Sequence, residues 1–155
     1  MNLTKHFTLE EMIRSDTAIR HGIDNTPSAI VTLNLVSLCR NTLEPLRSIV
    51  KRPIQILSGY RSEEVNKGIG GAPNSQHITG QAADIVVPDM TIEELHDLAT
   101  KFVPHDQAIQ EFSEWLHISY NAQKNRQQKL WAVKMNGKTA YLETAPAKDP
   151  GSSVA

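Results

Sequence analysis

The spacing of apolar residues predicts a long core helix in the first third of the chain. Apolar side chains recur at three- and four-residue steps from Val31 to Leu46, which is typical of one face of a helix. We expect the helix to start at Thr26 and Pro27, because a hydroxyl cap and a proline suit the first helical turn. Pro45 should kink or divide it, since proline cannot donate a backbone hydrogen bond.

Two shorter helices are predicted from their capping residues. Thr8 with Glu11, and Thr91 with Glu94, have the spacing of a capping box, in which side chain and backbone cap each other reciprocally. The second of these helices should run to about residue 102. Residues 68–80 between the two predicted helices are rich in glycine and should form a loop, the kind of segment on which sites are commonly built.

Short runs rich in β-branched residues predict strands in the remainder of the chain. They lie at 54–57, 82–87, 108–112 and 115–120, and Asn136-Gly137 marks the turn of a later hairpin. Helices first and strands later predict an α+β domain, with an antiparallel sheet packed against helices. We expect a single domain over 1–144 and a flexible tail over 145–155, where proline, alanine, glycine and serine dominate.

Composition limits the partners of this domain. A chain of 155 residues can bury one core, and its 16 basic and 17 acidic residues nearly cancel, so nucleic acid is not an expected partner. No run approaches the length of a membrane span, and the N-terminus lacks a secretory signal. We expect a monomer made in the cytoplasm, with the one cysteine, Cys39, buried in its core.

Asp84 is the clearest anomaly in this pattern, because it interrupts the apolar run of a strand that should be buried. An ionised carboxylate there requires a cation or several hydrogen-bond donors. Backbone N–H groups or an arginine can meet that need. His77, seven residues earlier, can reach the same point if Gly80 reverses the chain.

His117 offers a third polar group on a predicted strand. Two imidazoles and one carboxylate are a ligand set of catalytic zinc, which keeps one coordination position open for water. His117 can equally be a core histidine that is hydrogen-bonded to a neighbouring strand. Glu114 can act as general base beside such a site if the chain bends before His117, and is otherwise a solvated glutamate. Arg61 either projects into the same cleft or pairs at the surface with a nearby glutamate.

The ordered combination of these motifs resembles the zinc D-alanyl-D-alanine peptidase family, whose domain is shared with the Hedgehog signalling fold. The family pattern is Ser-x-His, then Asp after six intervening residues, then Glu-x-x-His, with Ser-Gly-Tyr-Arg upstream. This chain matches the pattern at Ser75, His77, Asp84, Glu114, His117 and Arg61. The resemblance covers about residues 3 to 121, and its early Phe-Thr-Leu-Glu-Glu segment resembles phage and prophage lysins.

The resemblance implies a role for each matched residue. His77, Asp84 and His117 would bind one Zn²⁺, and Glu114 would be the general base and acid. Arg61 would orient the substrate or stabilise its oxyanion, and Ser75 would bind the substrate backbone. The implied substrate is the stem peptide of bacterial peptidoglycan, which the protein would reach in the cell wall after release or delivery. Whether it is a carboxypeptidase or an endopeptidase stays open, as does the role of residues 121–144.

Two other classes of function fit the same residues. One is a non-catalytic zinc module that binds cell-wall peptide or a protein partner, and the other is a metal-free polar network that serves the fold. Glu114 favours the peptidase, because a binding module needs no base at that spacing.

Overall fold

The first part of the chain folds into short helices, most of which are capped by hydroxyl side chains. The computed structural model describes residues 1–147. Its α-helices are α1 (Leu9–Ile13), α2 (Asp16–His21), α3 (Ala29–Leu38), α4 (Glu44–Val50), α5 (Glu63–Gly68) and α6 (Ile92–Phe102). Both predicted capping boxes, at Thr8 and at Thr91, are confirmed.

The sequence prediction was wrong or incomplete at three of these helix starts. α3 does not begin at Thr26 and Pro27 but after Ser28, whose hydroxyl accepts a hydrogen bond from the N–H of Val31. Helices α2 and α5 were not predicted at all. Both are too short to show an apolar period, although the caps Ser15 and Ser62 mark their starts.

The predicted division of the long helix near Pro45 is confirmed and takes the form of a π-helical segment, Cys39–Leu43, between α3 and α4. The N–H of Glu44 bonds to the carbonyl of Cys39, five residues back, so the helix widens just before the proline that has no N–H to donate. Cys39 is buried as predicted, and burial raises the pKa of its thiol to about 12. It is therefore a packing residue and not a nucleophile.

The strands form one six-stranded sheet within residues 1–147, with the order β1-β2-β4-β3-β5-β6. They are β1 (Gln55–Ser58), β2 (Ala82–Val86), β3 (Gln107–Glu111), β4 (Trp115–Ser119), β5 (Gln128–Met135) and β6 (Lys138–Leu142). The α+β prediction is confirmed. The sheet is mixed and not wholly antiparallel, because β5 pairs parallel to β3 while all other neighbouring pairs are antiparallel.

The predicted hairpin turn is confirmed between β5 and β6. Asn136 and Gly137 both have positive φ, at 53° and 76°, which is the backbone that a two-residue turn of this hand requires. The last residues of the predicted tail, from 148 onward, lie outside the described residues. Within residues 1–147 none of the helices combines the length and apolar character needed to cross a membrane.

The two faces of the sheet have different roles, which the alternation of side chains along each strand decides. One face is apolar and packs against the helices, and its fully buried residues are Ala83, Ile85, Ala108, Leu116 and Ile118. The helices supply the other half of this core through Leu35, Leu38, Leu43, Leu46, Leu95 and Ala99. The opposite face carries polar side chains and is open to a cleft.

Gly59, directly after β1, joins the sheet to the first helix. A Cβ atom at this position would lie 2.2 Å from the carbonyl oxygen of Met12, and the N–H of Tyr60 bonds to that same oxygen at 2.7 Å. Only glycine therefore allows β1 to approach α1 this closely. The sequence predicted a turn at Gly59 but not this close approach, because Gly59 and Met12 are 47 residues apart in the chain.

We predict that Gly59→Ala lowers the free energy of unfolding by about 1–3 kcal/mol, since the added methyl group must displace backbone atoms. Denaturant unfolding followed by circular dichroism measures this change. Gly68→Ala is the matched control, because its nearest neighbour would be 3.9 Å away at the end of a helix. Equal unfolding midpoints for the two variants would contradict the close contact at Gly59.

Candidate metal centre and cleft

A tight reversal of the chain between α5 and β2 brings His77 over the polar face of the sheet. Gly80 has a φ of +74°, and a Cβ atom there would lie 2.7 Å from the carbonyl oxygen of Val31. The N–H of Gln81 bonds to the carbonyl of Gln76 and closes the reversal. The conformation therefore requires glycine at residue 80, and it sets His77 above β2.

His77 is almost completely buried, with 2% of its surface exposed, and its two ring nitrogens have different surroundings. Nδ1 lies 2.7 Å from the carbonyl oxygen of Gly59. A carbonyl oxygen only accepts, so Nδ1 carries the proton and Nε2 of the neutral ring keeps a lone pair. Nε2 lies 3.3 Å from Oδ1 of Asp84 and has no hydrogen-bond partner among residues 1–147.

Asp84 and His117 are directly opposite each other on β2 and β4. Oδ1 of Asp84 lies 3.0 Å from Nδ1 of His117, and the rings of His77 and His117 meet edge to face with centroids 5.1 Å apart. A guanidinium nitrogen of Arg61 lies 3.8 Å from Oδ2 of Asp84. One ligand atom from each of His77, Asp84 and His117 lies within 4.8 Å of the others.

Burial and charge set the protonation states in this cluster. Burial lowers the pKa of His77, which favours the neutral ring that its hydrogen bond to Gly59 also indicates. Burial opposes ionisation of Asp84, but the hydrogen bond with His117 acts against it and helps to hold the pKa of that carboxyl below its usual value. Asp84 is therefore ionised at neutral pH.

These residues fit a divalent metal ion. The lone pair of His77 Nε2 and the Asp84 carboxylate face each other at 3.3 Å, and with a neutral ring no proton lies between them. Two buried acceptors at that distance repel each other unless a cation lies between them. Two imidazoles and one carboxylate match the ligand set of catalytic zinc, and the hydrogen bond from His77 to Gly59 fixes the tautomer that binding needs.

The cluster lies on the floor of a cleft of about 660 Å³. The floor is a row of side chains across the sheet, set by the strand register and formed by Ser58, Asp84, His117, Ile109 and Leu130. The reversal that carries His77 forms one wall, together with the glycine-rich loop before it. A cleft of this size is typical of a site for a small organic ligand or a short peptide.

Arg61 and Ser75, which the sequence pattern singled out, both line the cleft. The N–H of Arg61 bonds to the carbonyl of His77, so the segment after β1 and the reversal hold each other in place. Ser75 accepts a hydrogen bond from the N–H of His77 through its hydroxyl oxygen. That hydroxyl retains its own proton, which it can donate to a ligand.

Glu114, the expected general base, is not among the residues that line the cleft, so the structure does not bring it together with the metal cluster. Phe112 and Ser113 both have positive φ and form a tight turn, in which the N–H of Glu114 bonds to the carbonyl of Glu111. The bend that the expectation required is therefore present. Glu114 is the last residue of this turn, directly before β4, and its side chain is exposed.

Glu111 is the carboxylate that the same turn brings to the cleft, and the sequence analysis missed it. It pairs with Trp115 across the two strands and shares the face of Ile109 and His117. Burial raises the pKa of Glu111, and Asp84 adds to the rise, while His117 and Arg61 act against it. Strand alternation counted from His117 across the three-residue turn was the signal that could have identified it.

A family model described as Peptidase M15 matches residues 5–119, which is most of the chain and includes all the residues of the cluster. The chain belongs to this peptidase family. None of the curated proteins compared with it gave a match. The resemblance drawn from the sequence motifs is thus confirmed at the level of the family.

The matched region of this M15 peptidase ends at the last residue of β4, whereas its cleft extends further. Asp106, which is buried, receives hydrogen bonds from the side chain of Gln76 and from the backbone and guanidinium of Arg126. The hydrogen bonds from Arg126 lower the pKa of Asp106 to about 2. This carboxylate therefore ties the loop of His77 to the crossover between β4 and β5.

We predict that the wild-type protein binds about one equivalent of zinc, and that His77→Ala weakens this binding by more than about 100-fold, because a ligand is lost. Titration calorimetry and metal analysis after dialysis measure the change. His21→Ala, which removes an exposed histidine outside the cleft, should bind zinc as the wild type does. Equal zinc binding by both variants would contradict the assigned centre.

Proposed function

We propose that the protein is a zinc-dependent peptidase that hydrolyses D-alanine-containing bonds in peptidoglycan stem peptides. The observation that carries this proposal is the convergence of His77, Asp84 and His117 on the floor of an open cleft that also contains Glu111. The family match supports a peptidase. The choice of stem peptide follows from the resemblance of the Ser75, His77, Asp84 and His117 pattern to D-alanyl-D-alanine peptidases.

His77, Asp84 and His117 would hold the zinc ion through two neutral imidazoles and one carboxylate. When bound, zinc supplies Lewis-acid chemistry, which lowers the pKa of water enough for it to act as a nucleophile toward a peptide carbonyl near neutral pH. The remaining work falls to side chains that line the cleft without being ligands.

Glu111 is the general base in this proposal, in the role that the sequence analysis gave to Glu114. Its carboxylate lies in the cleft on the face of the sheet that carries His117, so that it can accept the proton of the attacking water. The protonated carboxyl can then give that proton to the departing amine.

Arg61 is the fixed cation of the cleft. Its guanidinium is largely buried, lies beside Asp84 and keeps its charge at every relevant pH. We assign it to the oxyanion that develops on the scissile carbonyl or to a carboxylate of the substrate. Ser75 donates its free hydroxyl proton to the substrate backbone, which orients the peptide over His77.

We propose further that the protein is made in the cytoplasm and reaches the cell wall after release or delivery. The substrate is part of the cell wall, and the early segment of the chain resembles phage and prophage lysins, which reach the wall after the membrane is permeabilised. We propose the same route here, with the protein acting as a monomer.

We predict that Glu111→Gln lowers the rate of hydrolysis by about 10²–10⁴-fold while zinc content is unchanged, because the amide cannot accept a proton. The substrate is a set of purified peptidoglycan fragments, and mass spectrometry identifies the bond that is cut. A chelator should abolish wild-type cleavage and added zinc should restore it.

Glu114→Gln is the matched control for this experiment, since it makes the same chemical change three residues away and outside the cleft. Its activity should stay within a factor of about two of the wild type. The assignment of Glu111 fails if the Glu114 variant is the inactive one. The peptidase proposal fails if no fragment is cut by the zinc-loaded wild type.

A further inference from the structure

The β5–β6 hairpin builds one side of the cleft although it lies beyond the region that matches the family. The match ends at residue 119, and the hairpin begins with Gln128. Leu130 on β5 and Tyr141 on β6 both line the cleft. The surface that they add is a property of this chain that the family match does not cover.

The strand register places Tyr141 in line with the proposed base. Glu111 pairs with Ala132, and Ala132 pairs with Tyr141, so one strand with a small side chain separates the two. Tyr141 is 58% exposed even though it stands on the sheet. Much of its side chain is therefore free, and it lines the cleft.

The hydroxyl of Tyr141 is also within electrostatic range of the centre. Burial raises its pKa, and the carboxylates of Glu111 and Asp84 add to the rise. This agrees with the register, which puts Tyr141 on the same face of the sheet as both carboxylates.

Tyr141 is not needed to hold the hairpin in place, because the opposite face does so. Trp131 packs edge to face on His96 of α6, with ring centroids 5.0 Å apart. Lys129 forms an ion pair with Asp97 of the same helix at 2.6 Å. An exposed aromatic ring on an independently anchored hairpin is available to contact a ligand.

The distance from the metal centre to this ring corresponds to several residues of peptide. β4, which carries His117, is three strand positions from β6 in the sheet order. At about 4.8 Å per strand, the separation is roughly 14 Å, and an extended peptide covers about 3.3 Å per residue. Leu130 lies two strands away in the row of His117, about three residues of peptide from the centre. Tyr141 lies in the row of Glu111, two residues further along the strands, and is about four to five residues of peptide away.

We infer that the β5–β6 hairpin binds the part of the substrate that lies three to five residues from the scissile bond, through Leu130 and the ring of Tyr141. The enzyme then selects stem peptides of at least four residues over a free dipeptide. This inference rests on the proposed function, since it names the length of the peptide that the same cleft takes.

The test measures binding of a series of synthetic peptides of two to five residues, each ending in D-Ala-D-Ala. The zinc-loaded Glu111→Gln protein is used so that no peptide is consumed, and Kd is measured by titration calorimetry. We expect Kd to fall by about tenfold or more from the dipeptide to the pentapeptide. With Tyr141→Ala added, this gain should be lost while dipeptide binding stays within about twofold.

Two further variants separate the ring from the rest of the hairpin. Tyr141→Phe keeps the ring and should keep the gain with length. Met135→Ala removes a large side chain of similar exposure, 54%, from the same hairpin but outside the cleft, and should also keep it. Unfolding midpoints of all variants report whether the hairpin is still packed.

Equal Kd values for all peptide lengths would overturn the inference, as would a Tyr141→Ala effect that is the same for the dipeptide and the pentapeptide. Digestion of the pentapeptide by the wild type is scored in parallel. Cleavage without any effect of length overturns this inference alone. If no peptide of the series is bound or cleaved, both the proposed function and this inference are overturned.

Discussion

The centre of this protein depends on one buried contact, in which the Asp84 carboxylate faces the unprotonated nitrogen of His77. The carbonyl of Gly59 fixes that tautomer, and burial keeps the ring neutral, so neither partner can supply the missing proton. Gly59 can do this because it has no side chain to collide with Met12. The packing of the first helix on the sheet thus helps to set the protonation of His77. A cation between the Asp84 carboxylate and the lone pair of His77 would remove the repulsion between them.

The alternation of side chains along the strands places further polar groups beside this contact, on the face of the sheet that is open to the cleft. Successive residues on β2 lie on opposite faces of the sheet, so that Ala83 and Ile85 pack in the core while Asp84 faces the cleft. The same alternation puts His117 and Glu111 on one face of the sheet, while Glu114 lies in the turn between β3 and β4. A mixed sheet then extends the polar face beyond β3, where the parallel strand β5 and its partner β6 add Leu130 and Tyr141 to the cleft.

Features that depend on neighbouring residues could be predicted from the sequence, and features that depend on distant contacts could not. The capping box at Thr91 and the turn at Asn136 are local, and both were predicted correctly. Asp84 was conspicuous because a charge in an apolar strand is costly wherever the strand lies. A turn was expected between the strands at 108–112 and 115–120, but its register was not, since Phe112 and Ser113 are not usual choices for positive φ. That register pairs Glu111 with Trp115 and leaves Glu114 in the turn.

X-ray absorption at the zinc edge, on protein loaded with one equivalent of zinc, tests the metal centre most directly. We expect two imidazole nitrogens and one carboxylate oxygen, with a solvent oxygen as the fourth ligand, all at about 2.0–2.2 Å. Loss of one imidazole signal in His77→Ala would identify the buried ring as a ligand. A sulfur shell at about 2.3 Å, or a coordination sphere without imidazole, would contradict the convergence of these three side chains on one ion.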